Sequence, residues 1–111
     1  MGNRERGMMA QTPASTKIDD VMRRLQREMP RLREDYAVRS LGVFGSFVRG
    51  EQRRGSDLDV LIEFEHAPGL LRFLELEAEL STLVGVPVDL VQKEALKPAI
   101  GRRILQEVRP I

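Results

Sequence analysis

Residues 41–62 read LGVFGSFVRGEQRRGSDLDVLI: an apolar run, a Gly-Ser step, a polar loop, and a second apolar run carrying two aspartates. The first run, Leu41 to Phe44, is short and bounded by Gly45, which predicts a buried strand ending in a tight turn. Ser46 with Phe47, Val48 and Arg49 then opens a short helix, whose unpaired N–H groups and dipole favour an anion such as phosphate. In the second run Asp57 and Asp59 share one face of an extended strand, roughly 7 Å apart, while Leu58 and Val60 face the other way. Two carboxylates side by side cost stability unless a cation lies between them. Oxygen ligands in a chain without cysteine point to magnesium or manganese rather than zinc.

The flanking sequence supplies the rest of a small α/β domain. Its 111 residues suffice for one core, and no second domain is expected. With 18 basic and 17 acidic residues the net charge is +1, so no global field draws the chain to nucleic acid or membrane. Tyr36 is the single tyrosine and there is no tryptophan, so no stacking platform for single strands is expected, nor direct nucleic-acid binding. The absence of cysteine, of a long apolar run and of a charged-then-apolar leader predicts a cytoplasmic protein without disulfides. Residues 1–15 are polar and aperiodic and are expected to form a disordered arm, with the domain spanning 16–111; Met8 or Met9 could equally be the native start.

Thr16 and Asp19 look like a capping pair, and Ile18, Val21, Met22, Leu25 and Met29 follow helical spacing, predicting a helix from Lys17 to about Glu28. Pro30 is expected to end or kink it near Met29, leaving a turn or two over Leu32–Tyr36, with the first strand starting at Val38. After the second strand, Leu70 to Val84 predicts an amphipathic crossover helix closed by Gly85. The third strand is placed at Pro87–Val91, with Asp89 pointing away from Val88 and Leu90. A last basic helix is expected over Glu94–Val108, divided by Pro98, with part of its apolar stripe available to a partner. His66 sits in a Pro-Gly turn with nothing to pair with and is read as an exposed loop residue. Arg53 and Arg54 lie in the polar loop before Asp57, either as solubilising charge or as phosphate or acceptor contacts. The architecture is therefore α/β: a twisted mixed sheet of three or four strands, helices mainly on one face, carboxylates on the other.

Gly45-Ser46, ten residues, Asp57, one residue, Asp59 is a constellation that resembles the DNA polymerase beta-like nucleotidyltransferase superfamily, and most closely its minimal nucleotidyltransferases. Arg49-Gly50 matches the Arg-Gly common in that group, and Val88-Asp89-Leu90-Val91 matches its third carboxylate strand. A lone Gly-Ser or Asp-x-Asp is ordinary turn or surface; the combination is not. The resemblance, which covers about Val38–Val91, implies a palm-like core in which Asp57, Asp59 and Asp89 are catalytic and hold two Mg2+ ions, Mn2+ being an alternative. It implies that Gly45, Ser46 and Arg49 bind the nucleoside triphosphate, ATP, though Arg49 is equally suited to bracing the loop. It also implies a setting, because minimal nucleotidyltransferases resemble the antitoxin of two-gene systems whose partner is a HEPN-type ribonuclease toxin. There AMP would pass to a tyrosine of the toxin. The alternatives are a binding-only antitoxin that occludes its partner, or a stand-alone transferase acting on a small molecule, which the expected lack of an acceptor domain disfavours. Acceptor identity, the nucleotide base and homo-oligomerisation stay open.

Overall fold

The computed structural model describes residues 17–111; the expected N-terminal arm and the Thr16–Asp19 capping pair lie outside them in whole or in part. The order of elements is α1 (Lys17–Tyr36), β1 (Val38–Phe44), α2 (Ser46–Arg49), β2 (Leu58–Phe64), α3 (Leu70–Val84), β3 (Val88–Gln92), a 3-10 turn (Lys93–Ala95), α4 (Pro98–Glu107) and β4 (Arg109–Pro110). The strands form one mixed sheet in the order β3-β2-β1-β4. β1 pairs antiparallel with β2 and with β4, and β2 pairs parallel with β3 across the α3 crossover.

Pairing partners sort the side chains into two faces. Leu41 opposite Ile62, Val43 opposite Val60 and opposite Leu90 in turn lie on one face, all buried under α1 and α3. Gly42 opposite Leu61, and Phe44 opposite Asp59 opposite Asp89, lie on the other. Helix α1 delivers Val21, Leu25, Met29, Leu32 and Tyr36 to the core at spacings of four, four, three and four residues. Tyr36 O–H donates to Glu79 Oε1 at 2.7 Å, and Arg31 pairs with Glu79, joining α1 to α3.

The expected break at Pro30 does not occur: α1 runs through it to Tyr36. Proline removes one donor to the Gln26 carbonyl and costs about 3 kcal/mol in an isolated helix. Here the same buried stripe continues on both sides of it, and burying Leu32 and Tyr36 in register with Leu25 and Met29 outweighs that loss. The helix stops instead at Ala37, which takes a left-handed φ of 58° while its N–H donates to the Arg33 carbonyl.

The C-terminal segment differs from expectation too. Pro98 divides it as anticipated, standing at the first turn of α4, but the helix ends at Glu107 and the chain then forms a fourth strand on the free edge of β1. Gly42 makes that close approach possible, since a Cβ there would lie 2.5 Å from Val108 Cγ2. α4 consequently borders the open face of the sheet rather than the helical layer, lining cavities with Phe44, Asp59 and Leu61. Among the described residues no helix is long and apolar enough to cross a membrane.

Candidate nucleotidyl-transfer site

The C-terminal end of β1 meets the N-terminal ends of β2 and β3 at one edge of the open face. The three positions Phe44, Asp59 and Asp89 are direct neighbours across β1, β2 and β3, so Asp59 and Asp89 stand side by side on adjacent parallel strands. Asp57 precedes β2 and is exposed, as is Asp89, whereas Asp59 is half-buried. Burial pushes the Asp59 carboxyl up from its ordinary range, and the charges of Asp89 and Asp57 push it further; Arg49 works in the opposite direction. Of the three aspartates, Asp59 and Asp89 are register neighbours on β2 and β3, and Asp57 lies two residues before Asp59, close enough for its charge to act on it. Among the described residues, however, no three acidic or histidine side chains stand close enough together to hold an ion as they are. The donor set, being all carboxylate oxygen, is of the kind a hard divalent cation takes.

Gly45 is shaped by Asp59. Its backbone, at φ 82° and ψ −153°, lies where only glycine is unstrained, and a Cβ there would sit 2.1 Å from Asp59 Oδ2. The missing side chain is thus the space in which the carboxylate rests. The Gly45 carbonyl accepts the N–H groups of Val48 and Arg49, which starts α2, while the N–H groups of Ser46 and Phe47, in its first turn, have no partner among the described residues. Phe47 is buried and anchors α2 in the core; Ser46 beside it is half-buried at the surface.

Arg49 is held by two glutamates. Its Nε donates to Glu51 Oε1 at 2.9 Å and its Nη1 to Glu107 at 3.0 and 3.1 Å. Both hydrogen bonds raise its pKa, and its charge is spoken for by these carboxylates in the structure as it stands. Glu107 also accepts the Gly45 N–H at 2.8 Å. Although burial pushes the Glu107 carboxyl up, the Gly45 N–H and the Arg49 guanidinium prevail and hold it below its ordinary range. Sequence reasoning passed over Glu107, and no local signal marks it: it is one more polar residue at the end of an amphipathic helix, 62 positions from its glycine partner.

A cavity of about 320 Å³ opens between this turn and α4. Phe44, Gly45, Arg49 and Asp59 form one wall; Ile100, Arg103, Ile104 and Glu107 form the other. Arg53 and Arg54 do not enter it; they line a separate cavity with Phe47 and Pro87, in a loop closed by the Arg53 N–H donating to Ser56 Oγ at 2.7 Å. His66 is exposed beyond β2, away from the aspartates.

The chain is similar to known proteins in sequence and in fold. The sequence profile of the nucleotidyltransferase domain matches residues 22–111. The chain is 45% identical over 95 residues to the protein adenylyltransferase MntA of Thermococcus cleftensis, covering 86% of this chain and 96% of that one. It superposes with a TM-score of 0.69 and 32% identity on a solved structure proposed to be a minimal nucleotidyltransferase, covering 93% of this chain and all of the other. The fold is shared, at 14% identity and a TM-score of 0.55, with the structure of a tri-AMPylated Shewanella oneidensis HEPN toxin in complex with MNT antitoxin, over 88% of this chain and 71% of that one. A glycine turn built around the middle aspartate, carboxylates in register on neighbouring strands, and a profile match across nearly the whole described chain agree: this protein belongs to the nucleotidyltransferase domain family and resembles its minimal members.

Proposed function

We propose that this chain moves AMP from ATP to a hydroxyl of a partner protein, a tyrosine of a HEPN-type ribonuclease toxin, and so acts as the antitoxin of the pair. The observation that carries the reading is the Gly45–Asp59 contact, since it builds the phosphate-facing turn and the central carboxylate as one unit. The chemistry needs both within reach of one α-phosphorus. The protein-acceptor class is supported by the MntA relative, whose name is protein adenylyltransferase, and the toxin class by the AMPylated HEPN complex that shares the fold.

In this reading the N–H groups of Ser46 and Phe47, with the Ser46 hydroxyl, hold the terminal phosphates, and the absence of a Gly45 side chain leaves room for the Asp59 carboxylate against the same turn. Asp57, Asp59 and Asp89 would hold divalent cations, magnesium or manganese, which supply charge neutralisation at the entering and leaving oxygens. Asp89, on the same face as Asp59 but one strand further from the phosphate turn, would meet the acceptor and orient its hydroxyl or take its proton. The acceptor oxygen attacks the α-phosphorus in line, the new P–O bond forms as the bond to the β-phosphate oxygen breaks, and pyrophosphate leaves. Arg49, between Glu51 and Glu107, braces the turn rather than reaching the substrate unaided.

The test is intact-mass spectrometry of a cognate HEPN partner co-expressed with this chain. Added AMP, lost on replacing Asp59 by asparagine, supports transfer. Silencing of the partner with no added mass overturns transfer in favour of occlusion.

A further inference from the structure

The contact between α4 and the phosphate-facing turn is made by one carboxylate at the end of the chain, and it is not a generic tether. Glu107 Oε2 accepts the Gly45 N–H at 2.8 Å, and the same carboxylate takes the Arg49 guanidinium at 3.0 and 3.1 Å. These two partners bracket α2: Gly45 stands immediately before it and Arg49 is its last residue. A four-residue helix has too few internal hydrogen bonds to hold its own pose. The Gly45 peptide, moreover, sits in a conformation that costs energy for any residue with a side chain and is unusually free for glycine. Such a turn needs an outside acceptor to choose one orientation of its N–H.

We infer that Glu107 is a positioning residue, which sets the Gly45 peptide and Arg49 so that the Ser46 and Phe47 N–H groups point at the triphosphate and the Asp59 carboxylate keeps its place against Gly45. The inference rests on the nucleotidyl-transfer reading above. Glu107 does not touch the reacting atoms; it acts through Gly45. Its position follows from the fourth strand, because Arg109 and Pro110 pair with Val43 and Gly42 and thereby bring the end of α4 back beside the end of β1. The C-terminal segment is thus part of the nucleotide site, though none of its residues belongs to the Gly-Ser or Asp-x-Asp motif.

The test measures affinity of the full chain for magnesium AMP-PNP and for magnesium tripolyphosphate, in wild type, Glu107→Ala and Glu107→Gln, each with a thermal melt. Glu107→Ala should weaken both ligands by the same factor, about tenfold, the lower end of what a hydrogen bond to a charged group is worth. Glu107→Gln keeps an acceptor for the Gly45 N–H and should recover most of that loss even though its ion pair with Arg49 is gone; it also guards against an alanine variant that does not fold. Four results overturn the inference. Wild-type affinity in a folded Glu107→Ala would make the contact a tether only. Tighter binding would make Glu107 a competitor for the phosphate position. A loss confined to AMP-PNP would put Glu107 on the nucleoside. Wild type that binds neither ligand would overturn the nucleotidyl-transfer reading, and this inference with it.

Discussion

Replacing Asp59 by asparagine should leave the metal-free protein at least as stable as wild type while abolishing its response to magnesium and nucleotide. The substitution keeps the shape that fills the space beside Gly45 and removes one charge from a region already holding Asp57, Asp89 and Glu107. Two unit charges on adjacent strands, ~5 Å apart, repel by ~3 kcal/mol at an effective dielectric of ~20. Asp59 is only half-buried and Asp89 is exposed, so solvent screening reduces this to about 1 kcal/mol, with Arg49 offsetting part of it. For a domain of this size 1 kcal/mol corresponds to a melting temperature higher by roughly 4–8 °C in EDTA, less the part that Arg49 offsets. The pH dependence follows from the raised Asp59 pKa. The ionised form is disfavoured in the fold, so the penalty is complete above the folded pKa, fades as the pH falls through it, and vanishes below the unfolded value. The gap between mutant and wild type should therefore close on acidification. With magnesium and a non-hydrolysable ATP analogue at about a hundred times the dissociation constant, wild type should gain about 2.7 kcal/mol and the mutant little. Differential scanning fluorimetry of both proteins, in EDTA and with ligand, across pH 4 to 8, gives all these quantities. A mutant clearly less stable in EDTA yet equally stabilised by ligand would refute the reasoning, because Asp59 would then be a structural acceptor rather than an uncompensated site charge.

Gly45→Ala should lower the melting temperature by roughly 10 °C or more, from backbone strain of ~1–3 kcal/mol plus the clash with Asp59 Oδ2, and adding Asp59→Ala should return the steric part; a single mutant as stable as wild type would show that the turn relaxes at no cost. Ser46→Ala should leave the melt unchanged and weaken use of ATP by roughly 1–3 kcal/mol, read as kcat/KM at subsaturating ATP, since the backbone donors stay; unchanged kinetics would reduce Ser46 to a helix-start residue.

The places of Gly45, Ser46, Asp59 and Asp89 in turn, helix and strand were legible in the sequence because each obeys a rule that acts over a few residues, whereas Asp57, expected on the strand, stands just before β2. A glycine ends an apolar strand, a serine opens the next helix, and alternation assigns each strand aspartate to the face opposite its apolar neighbours. The strand and crossover order followed from the same local patterns, and the sheet bears them out to within a residue at the starts of β2 and β3. Pro30 was misread because its cost is local while the compensating burial of Leu32 and Tyr36 is a property of the assembled core. β4 is two residues long, too short for any period, and exists only because Gly42 leaves room for Val108 beside it. Arg49 could be placed one turn from Ser46, but not given its partners, since Glu107 comes from the other end of the chain. Short-range sterics and periodicity are written residue by residue, so the sequence by itself determined which strand, turn and sheet face each of these groups occupies. Only the tertiary structure decided what braces them, because an acceptor for one glycine N–H is chosen by how the last strand closes on the first.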